Sequence, residues 1–397
     1  MANVLIIAYT TYIHDGRVKR QAEALTSRGD RVDVICLASE EPASRNGVNL
    51  IVVPMPRYRG SSRSGYALSY LRFFARASLI AFRLGRRKPY DVAIVCTMPD
   101  AAVLCAIPSK LMGTKIVLDV HDTMPELYQE KFGDRKGRLG ARLLMFEERS
   151  SAWLADRVLA VHDLHRRRLE EAGVPAEKIE VVMNAPDPQI FKAQNHCASN
   201  GDLTLVCHGT VTQRLGVDIS LHAMCLLLPR LPRVRLRIIG TGDFMAEAQR
   251  LVQTFNLGEN VSFDAPVPID SLPMALEGAT LGLVPNHVSR ATHLMLPVKL
   301  LEYAALGIPV VAARLRTIEH YFRDDEVCFF EPGDAVDLAN QIERLCLHPE
   351  ERAGQTERAR SAVERLSWTN QRERYYQAID SLIASSRAVV SISKSVS

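Results

Sequence analysis

Lys299 and Glu302 stand three positions apart in LMLPVKLLEYAALGIPVVAA, residues 294–313. On a helix that spacing puts an ammonium and a carboxylate on one face of an otherwise apolar segment. Pro297 marks a helix start, so Lys299 falls in the first turn, where a cation opposes the helix dipole. The placement suits an anion shared between the helix N-terminus and the ammonium. Glu302, one turn on, could then accept two hydrogen bonds from a diol. A plain surface Lys–Glu pair is the competing reading. Two upstream segments have the same strand, glycine loop and helix form. HGTVTQRLGVDISLHA (208–223) offers Gly209 and Arg214, and IIGTGDF (238–244) offers Gly240 and Gly242. Backbone N–H groups in such loops face anions, here a phosphate. The second loop lacks the third glycine of the dinucleotide fingerprint, and no ribose-binding acid follows at the right distance, which argues against an NAD dehydrogenase.

The first half has its own chemistry. DVHD (119–122) ends an apolar run, and His121 and Asp122 could serve as acid–base groups or metal ligands. A histidine capping a turn is the alternative. Two residues separate Asp119 from Asp122, so no D-x-D metal site is read, and none is expected elsewhere. In HDGRVKRQ (14–21) Gly16 would permit close backbone approach, and Arg17 opens the helix beside it; a mere turn glycine competes. His162 and His165 lack acidic or cysteine companions at ligand spacing and read as surface or capping residues. The eight cysteines form no C-x-x-C pair and sit mostly in apolar runs, as buried reduced thiols do.

The elements that must position these residues are legible. A chain of 397 residues is too long for one ordinary core. Seven β-rich runs (NVLIIAYT, RVDVICLA, NLIVVPM, DVAIVCT, KIVLDVHD, RVLAVH, IEVVMNA) alternate with helical patterns, and six more begin at residue 203 (LTLVCHGT, RVRLRIIGTG, NVSFDAP, ATLGLVPN, IPVVAAR, EVCFFEP). Nearly continuous apolar runs fit parallel strands covered on both faces. The fold class is therefore α/β, with two doubly wound, Rossmann-like domains. Their expected bounds are 1–185 and 204–370, with a polar linker at 186–203, a terminal helix at 371–385 packing back on the first domain, and a flexible tail at 386–397. Ligands bind at the carboxyl ends of such strands, so the cleft between facing domains is the default site.

Eight stretches, in order, resemble the family-four retaining glycosyltransferases with the GT-B arrangement (glycosyl transferases group 1). They are 15–35, 117–127, 161–191, 208–223, LRIIGTG, 261–285, LPVKLLEYAALGIPVVAA and 367–379. The resemblance implies transfer of a hexosyl unit from a nucleotide-sugar, a UDP- or GDP-sugar, to a hydroxyl acceptor, with no bound metal or cofactor. It makes the first domain the acceptor side and the second the donor side. Glu302 matches the second glutamate of the family's E-x7-E motif, which binds the ribose, with Lys299 and Leu300 beside it; the first glutamate is replaced by Leu294. Thr210 and Leu215 stand where the family's basic pair usually lies, with Arg214 adjacent. Similarity also places His121 at the donor sugar, lets Asp122 orient it or the acceptor, and sets Gly16 and Arg17 beside the reaction centre.

Net charge is +4, with hydrophobic content 47% and charged content 24%, a globular composition. The basic excess belongs to residues 1–185, which carry 28 Lys/Arg against 21 Asp/Glu. Residues 57–90 alone hold nine Lys/Arg and no acid, with Leu, Ile, Phe and Tyr at helical spacing. That is the pattern of a basic amphipathic helix on an anionic membrane. RNA binding and a core helix with a solvated basic face compete, but no nucleic-acid module accompanies the segment. No apolar run is long enough to span a bilayer, and no signal peptide is read. The expectation is a cytoplasmic enzyme, peripheral on the membrane, serving cell-surface polysaccharide or glycolipid synthesis with a lipid-linked or sugar acceptor. A nucleotide-sugar 2-epimerase and a non-catalytic nucleotide-sugar-binding protein are its rivals.

Overall fold

The structure is a computed structural model that describes residues 1–38, 44–58, 62–97, 99–131, 135–193 and 203–395. Half of the expected linker (194–202), residues 59–61 of the basic segment and the last two residues of the expected tail lie outside the described residues. The chain divides into two compact units, Met1–Asn184 with Gln371–Ser397, and Ala185–Asn370.

The first unit is built on a sheet of eight strands. In chain order these are β1 (Asn3–Ala8), β2 (Arg31–Leu37), β3 (Ser44–Arg45), β4 (Val48–Val53), β5 (Val92–Cys96), β6 (Lys115–Val120), β7 (Arg157–Ala160) and β8 (Ile179–Val181). Their order across the sheet is β3-β4-β2-β1-β5-β6-β7-β8, parallel except for β3 on β4. The winding reverses between β1 and β5, so the carboxyl ends of these two strands mark the switch point where a crevice opens. Asp15 starts the helix after β1 (Gly16–Ser27), its carboxylate accepting from the Val18 N–H at 3.1 Å. The terminal helix, Trp368–Ser395, runs on as helix through most of the segment expected to be a tail. Its Tyr376 hydroxyl donates to the Ala24 carbonyl at 2.7 Å, on the Gly16–Ser27 helix.

The second unit carries β9 (Leu203–Thr210), β10 (Val234–Thr241), β11 (Val261–Asp264), β12 (Leu281–Val284), β13 (Val310–Ala313) and β14 (Cys328–Phe330), all parallel, in the order β11-β10-β9-β12-β13-β14. This is the Rossmann order, with the switch point between β9 and β12. Each of the thirteen β-rich runs read from the sequence contains one strand. Among the described residues the remaining strand, β3, is a two-residue antiparallel bridge.

Candidate active site

In the second unit, the loops leaving β9 and β12 meet at the switch point. Gly216 ends the first loop with φ 72°, and a Cβ there would lie 1.7 Å from the Pro285 carbonyl oxygen, just past β12. Only glycine fits so close a backbone approach. The His287 N–H donates to the Arg214 carbonyl at 3.0 Å and ties the loops a second time. Each loop then delivers a helix with no side-chain N-cap: Val217–Leu227 behind Gly216, and Val298–Leu306 behind Pro297. Their first N–H groups are unsatisfied by capping side chains, as at helix termini that take anions. The Arg214 Nε is enclosed without an acceptor. Gly209 has φ 107°, with open space where a Cβ would stand.

Glu302 does not pair with Lys299. It is 5% exposed, and its Oε2 is 2.8 Å from His208 Nε2 at the end of β9. The next residue, Tyr303, packs its ring edge-on against His208, accepts the His208 N–H at 3.0 Å and donates to the Val206 carbonyl at 3.2 Å. Gly282 in β12 makes room for that ring, since a Cβ would sit 2.4 Å from it. The carboxylate is thereby fixed by β9. The Lys299 ammonium is 3.7 Å from Cys207 Sγ.

Other expected donor residues are placed differently. Leu300 is wholly buried, its side chain in the core, so it offers a site only its backbone. Gly240 and Gly242 face protein: their Cβ atoms would lie 1.9 Å from the Gly209 oxygen and 2.0 Å from the Val211 oxygen. Their immediate role is to let β10 and its loop lie against β9.

In the first unit, Asp119 near the end of β6 is the hub. It accepts from Arg17 Nε at 3.0 Å and Nη2 at 2.5 Å, from Gln21 Nε2 at 2.8 Å, and faces His121 Nε2 at 2.9 Å. Burial alone would raise its pKa, but Arg17 and then His121 overcome this and hold it well below the usual carboxylate range. Arg17, read as a residue beside the reaction centre, is a buried counter-ion on the carboxylate that also meets His121, and its Nη1 holds the Val182 carbonyl at 2.9 Å. The Asp119 carboxylate, already paired with Arg17, holds the His121 ring in place. The His121 N–H is fixed on Thr97 Oγ1 at 3.0 Å. His121 and Asp122 line a cavity of about 160 Å³ at the β1–β5 switch point with Thr10, Asp15, Arg57 and Tyr70. Gly16 opens the helix beside Asp15.

Cys96, Asp119 and His121 bring ligand atoms within 4.8 Å of one another. A cation there would have to displace the Arg17 guanidinium, and burial, with Asp119, holds the Cys96 thiol protonated. His162 and His165 are buried, not on the surface. His162 does cap the Asp163–Glu171 helix, its Nδ1 accepting from the His165 N–H at 3.0 Å, and burial pushes the His165 pKa well down.

Sequence comparison decides the family. The glycosyl transferase 4-like domain matches residues 16–185, and glycosyl transferases group 1 matches residues 202–348. The chain belongs to the GT-B glycosyltransferase family of group 1. It is 30% identical over 234 residues to the D-inositol 3-phosphate glycosyltransferase of Acidothermus cellulolyticus, covering 54% of this chain and 51% of that one. It is 26% identical over 190 residues to the amylovoran biosynthesis glycosyltransferase AmsK of Erwinia amylovora, covering 47% of each. The alignments thus span about half the length of these curated relatives. Among solved GT-B structures, Anabaena HepE in complex with UDP-glucose shares the fold, with a TM-score of 0.72 at 17% identity over 96% of this chain and 100% of that one. Sequence reasoning missed His208, Gly216 and Tyr303 in this GT-B chain; the glycine before the helix was the one visible signal.

Proposed function

We propose that the protein is a retaining glycosyltransferase that moves a hexosyl unit from a nucleotide-sugar to a hydroxyl acceptor in cell-surface polysaccharide or glycolipid synthesis. The observation that carries this is Glu302, a buried carboxylate fixed by His208 one turn from an uncapped helix N-terminus bearing Lys299. A ribose diol donates to Glu302. The diphosphate takes the helix N–H groups, Lys299 and Arg214. As the glycosidic bond breaks, charge grows on the departing diphosphate, and fixed dipoles and cations stabilise it most at that moment. This chemistry needs neither metal nor cofactor. Retention follows from the family resemblance, positioning and leaving-group stabilisation carrying the rate without a protein nucleophile.

In the first unit the cavity at His121 takes the reacting hydroxyl side. Asp119 holds the imbedded nitrogen of His121, and Asp122, Asp15 and Arg57 offer polar contacts to a sugar or lipid-linked acceptor. The UDP-glucose bound by HepE supports a nucleotide-sugar donor, and the amylovoran biosynthesis for which AmsK is named supports a polysaccharide product. Residues 57–90 dock the enzyme on an anionic bilayer from the cytoplasm. Among the described residues no helix is long and apolar enough to cross one. Binding of a panel of UDP-, GDP- and ADP-sugars, followed by transfer from the tightest donor with and without lipid extract, tests the reading. Binding with neither transfer nor hydrolysis would leave a nucleotide-sugar-binding protein.

A further inference from the structure

The helix Arg135–Leu154 in the first unit has its polarity inside out. Its buried side holds Ala141, Glu148, Ser151 and Ala152. Its exposed side holds Leu139, Leu143, Phe146 and Trp153, with Phe146 and Trp153 72% and 73% exposed. Positions 139, 143, 146 and 153 fall on one stripe of a helix. Arg138, Arg142 and Arg149 lie exposed beside it. The helix's two acids turn inward: Glu148 is fully buried on Arg168, and Glu147 accepts the Ala101 N–H at 2.8 Å.

The neighbouring helix Arg63–Arg87 shows the same bias. Leu68, Leu71, Leu79 and Phe82 are exposed among arginines 72, 76, 83, 86 and 87, while Phe73 is in the core. Both helices pack against the Asp100–Ala106 turn, which adds an exposed Leu104. So much exposed apolar surface marks an interaction site. A second copy meeting it face to face would set arginine against arginine. An anionic bilayer accepts both residue classes, with aromatic and leucine side chains at the acyl boundary and arginines at the phosphates.

We propose that Arg135–Leu154 is a second membrane-docking helix, with Leu143, Phe146 and Trp153 entering the bilayer interface and Arg138, Arg142 and Arg149 on anionic headgroups. This extends, and rests on, the reading of residues 57–90 as a bilayer-facing segment. The protein's two tryptophans make it testable, because Trp368 is buried and Trp153 is not. With vesicles of phosphatidylglycerol and phosphatidylcholine, the Trp emission shifts to the blue and is quenched by brominated acyl chains. Phosphatidylcholine alone produces neither change. Each of Arg138→Gln, Arg142→Gln and Arg149→Gln lowers the partition coefficient about fivefold, the equivalent of ~1 kcal/mol per basic residue. Phe146→Ser lowers it further with donor binding unchanged, which shows the variant folded.

Three outcomes separate the possibilities. If neutralising Arg83, Arg86, Arg87 and Lys88 leaves binding intact while the Arg135–Leu154 variants abolish it, the earlier reading fails and this one stands. If wild type binds but Trp153 stays unquenched and Phe146→Ser is neutral, this proposal is overturned and residues 57–90 suffice. Self-association that Phe146→Ser abolishes, with no response to vesicles, assigns the face to a second copy and overturns it too.

Discussion

His208 and Glu302 are joined by a 2.8 Å hydrogen bond between Nε2 and Oε2, with both side chains more than nine-tenths withdrawn from water. The pair couples the end of β9 to the Val298–Leu306 helix, so Glu302 has a structural role beside the ligand contact proposed for it. Replacing it with alanine would remove both, and the two effects must be separated by choice of substitution.

Glu302→Gln preserves an acceptor for His208 Nε2 and removes the charge. It is expected to melt near wild type and to lose on the order of 10- to 100-fold in nucleotide-sugar affinity, since hydrogen bonds to charged groups contribute about 1.5–3 kcal/mol. Glu302→Ala also strands the His208 donor and lowers stability by about 1–3 kcal/mol. Calorimetric binding and thermal melts on both variants check this; full donor affinity in Glu302→Gln would remove the ribose role.

Lys299→Gln and Arg214→Gln should act on the diphosphate. Affinity for the nucleoside diphosphate is expected to fall about tenfold or more in each, and affinity for the free nucleoside to stay within a factor of two or so, as for charge-assisted contacts to phosphate alone. Equal losses for both ligands, by titration calorimetry, would show that these side chains do not touch phosphate.

Asp119→Asn uncouples the hub of the first unit. Arg17 would be left as a buried, half-paired cation, a change that costs about 3–5 kcal/mol. The pH dependence has a definite sign. A carboxyl whose folded pKa is depressed contributes stability that is present above its unfolded value, about 3.9, and lost as pH falls below it toward the folded value. Acid denaturation curves below about pH 4 should therefore be steeper for wild type than for Asp119→Asn.

Asp100 runs the other way. It is buried, its Oδ1 has no partner, and burial, then Glu148 and Glu147, raise its pKa well above the usual carboxylate range despite Arg168. Its contribution is fully present below the unfolded value of about 3.9 and is lost as pH rises through the folded one. Asp100→Asn should therefore gain stability relative to wild type at pH 8 and not at pH 4, by chemical denaturation. An equal difference at both pH values would contradict this.

The strand runs were legible because parallel strands covered on both faces write long apolar stretches into the sequence. β3 had no such stretch to show. Lys299 and Glu302 were legible through helical spacing, but the partner of Glu302 was not, because His208 lies 94 positions away and only the β9–β12 switch point brings it near. Arg17 and Asp119, 102 positions apart, were likewise paired only by folding. Gly240 and Gly242 looked like a phosphate loop because close backbone approach demands glycine whether the neighbour is a ligand or a strand. The helix Arg63–Arg87 is apolar on two sides, so spacing alone could not tell that Phe73 faces the core while Leu71 faces outward.

Retaining transfer is read directly from the anomeric proton of the nucleotide-sugar donor that the wild-type protein binds most tightly, followed by NMR with acceptor supplied from lipid extract. An α-linked donor is expected to give an α-linked product, with Glu302→Gln slowed on the order of 10- to 100-fold at donor concentrations below saturation. A β-linked product, or a donor that binds to saturation and is neither transferred nor hydrolysed, would contradict it.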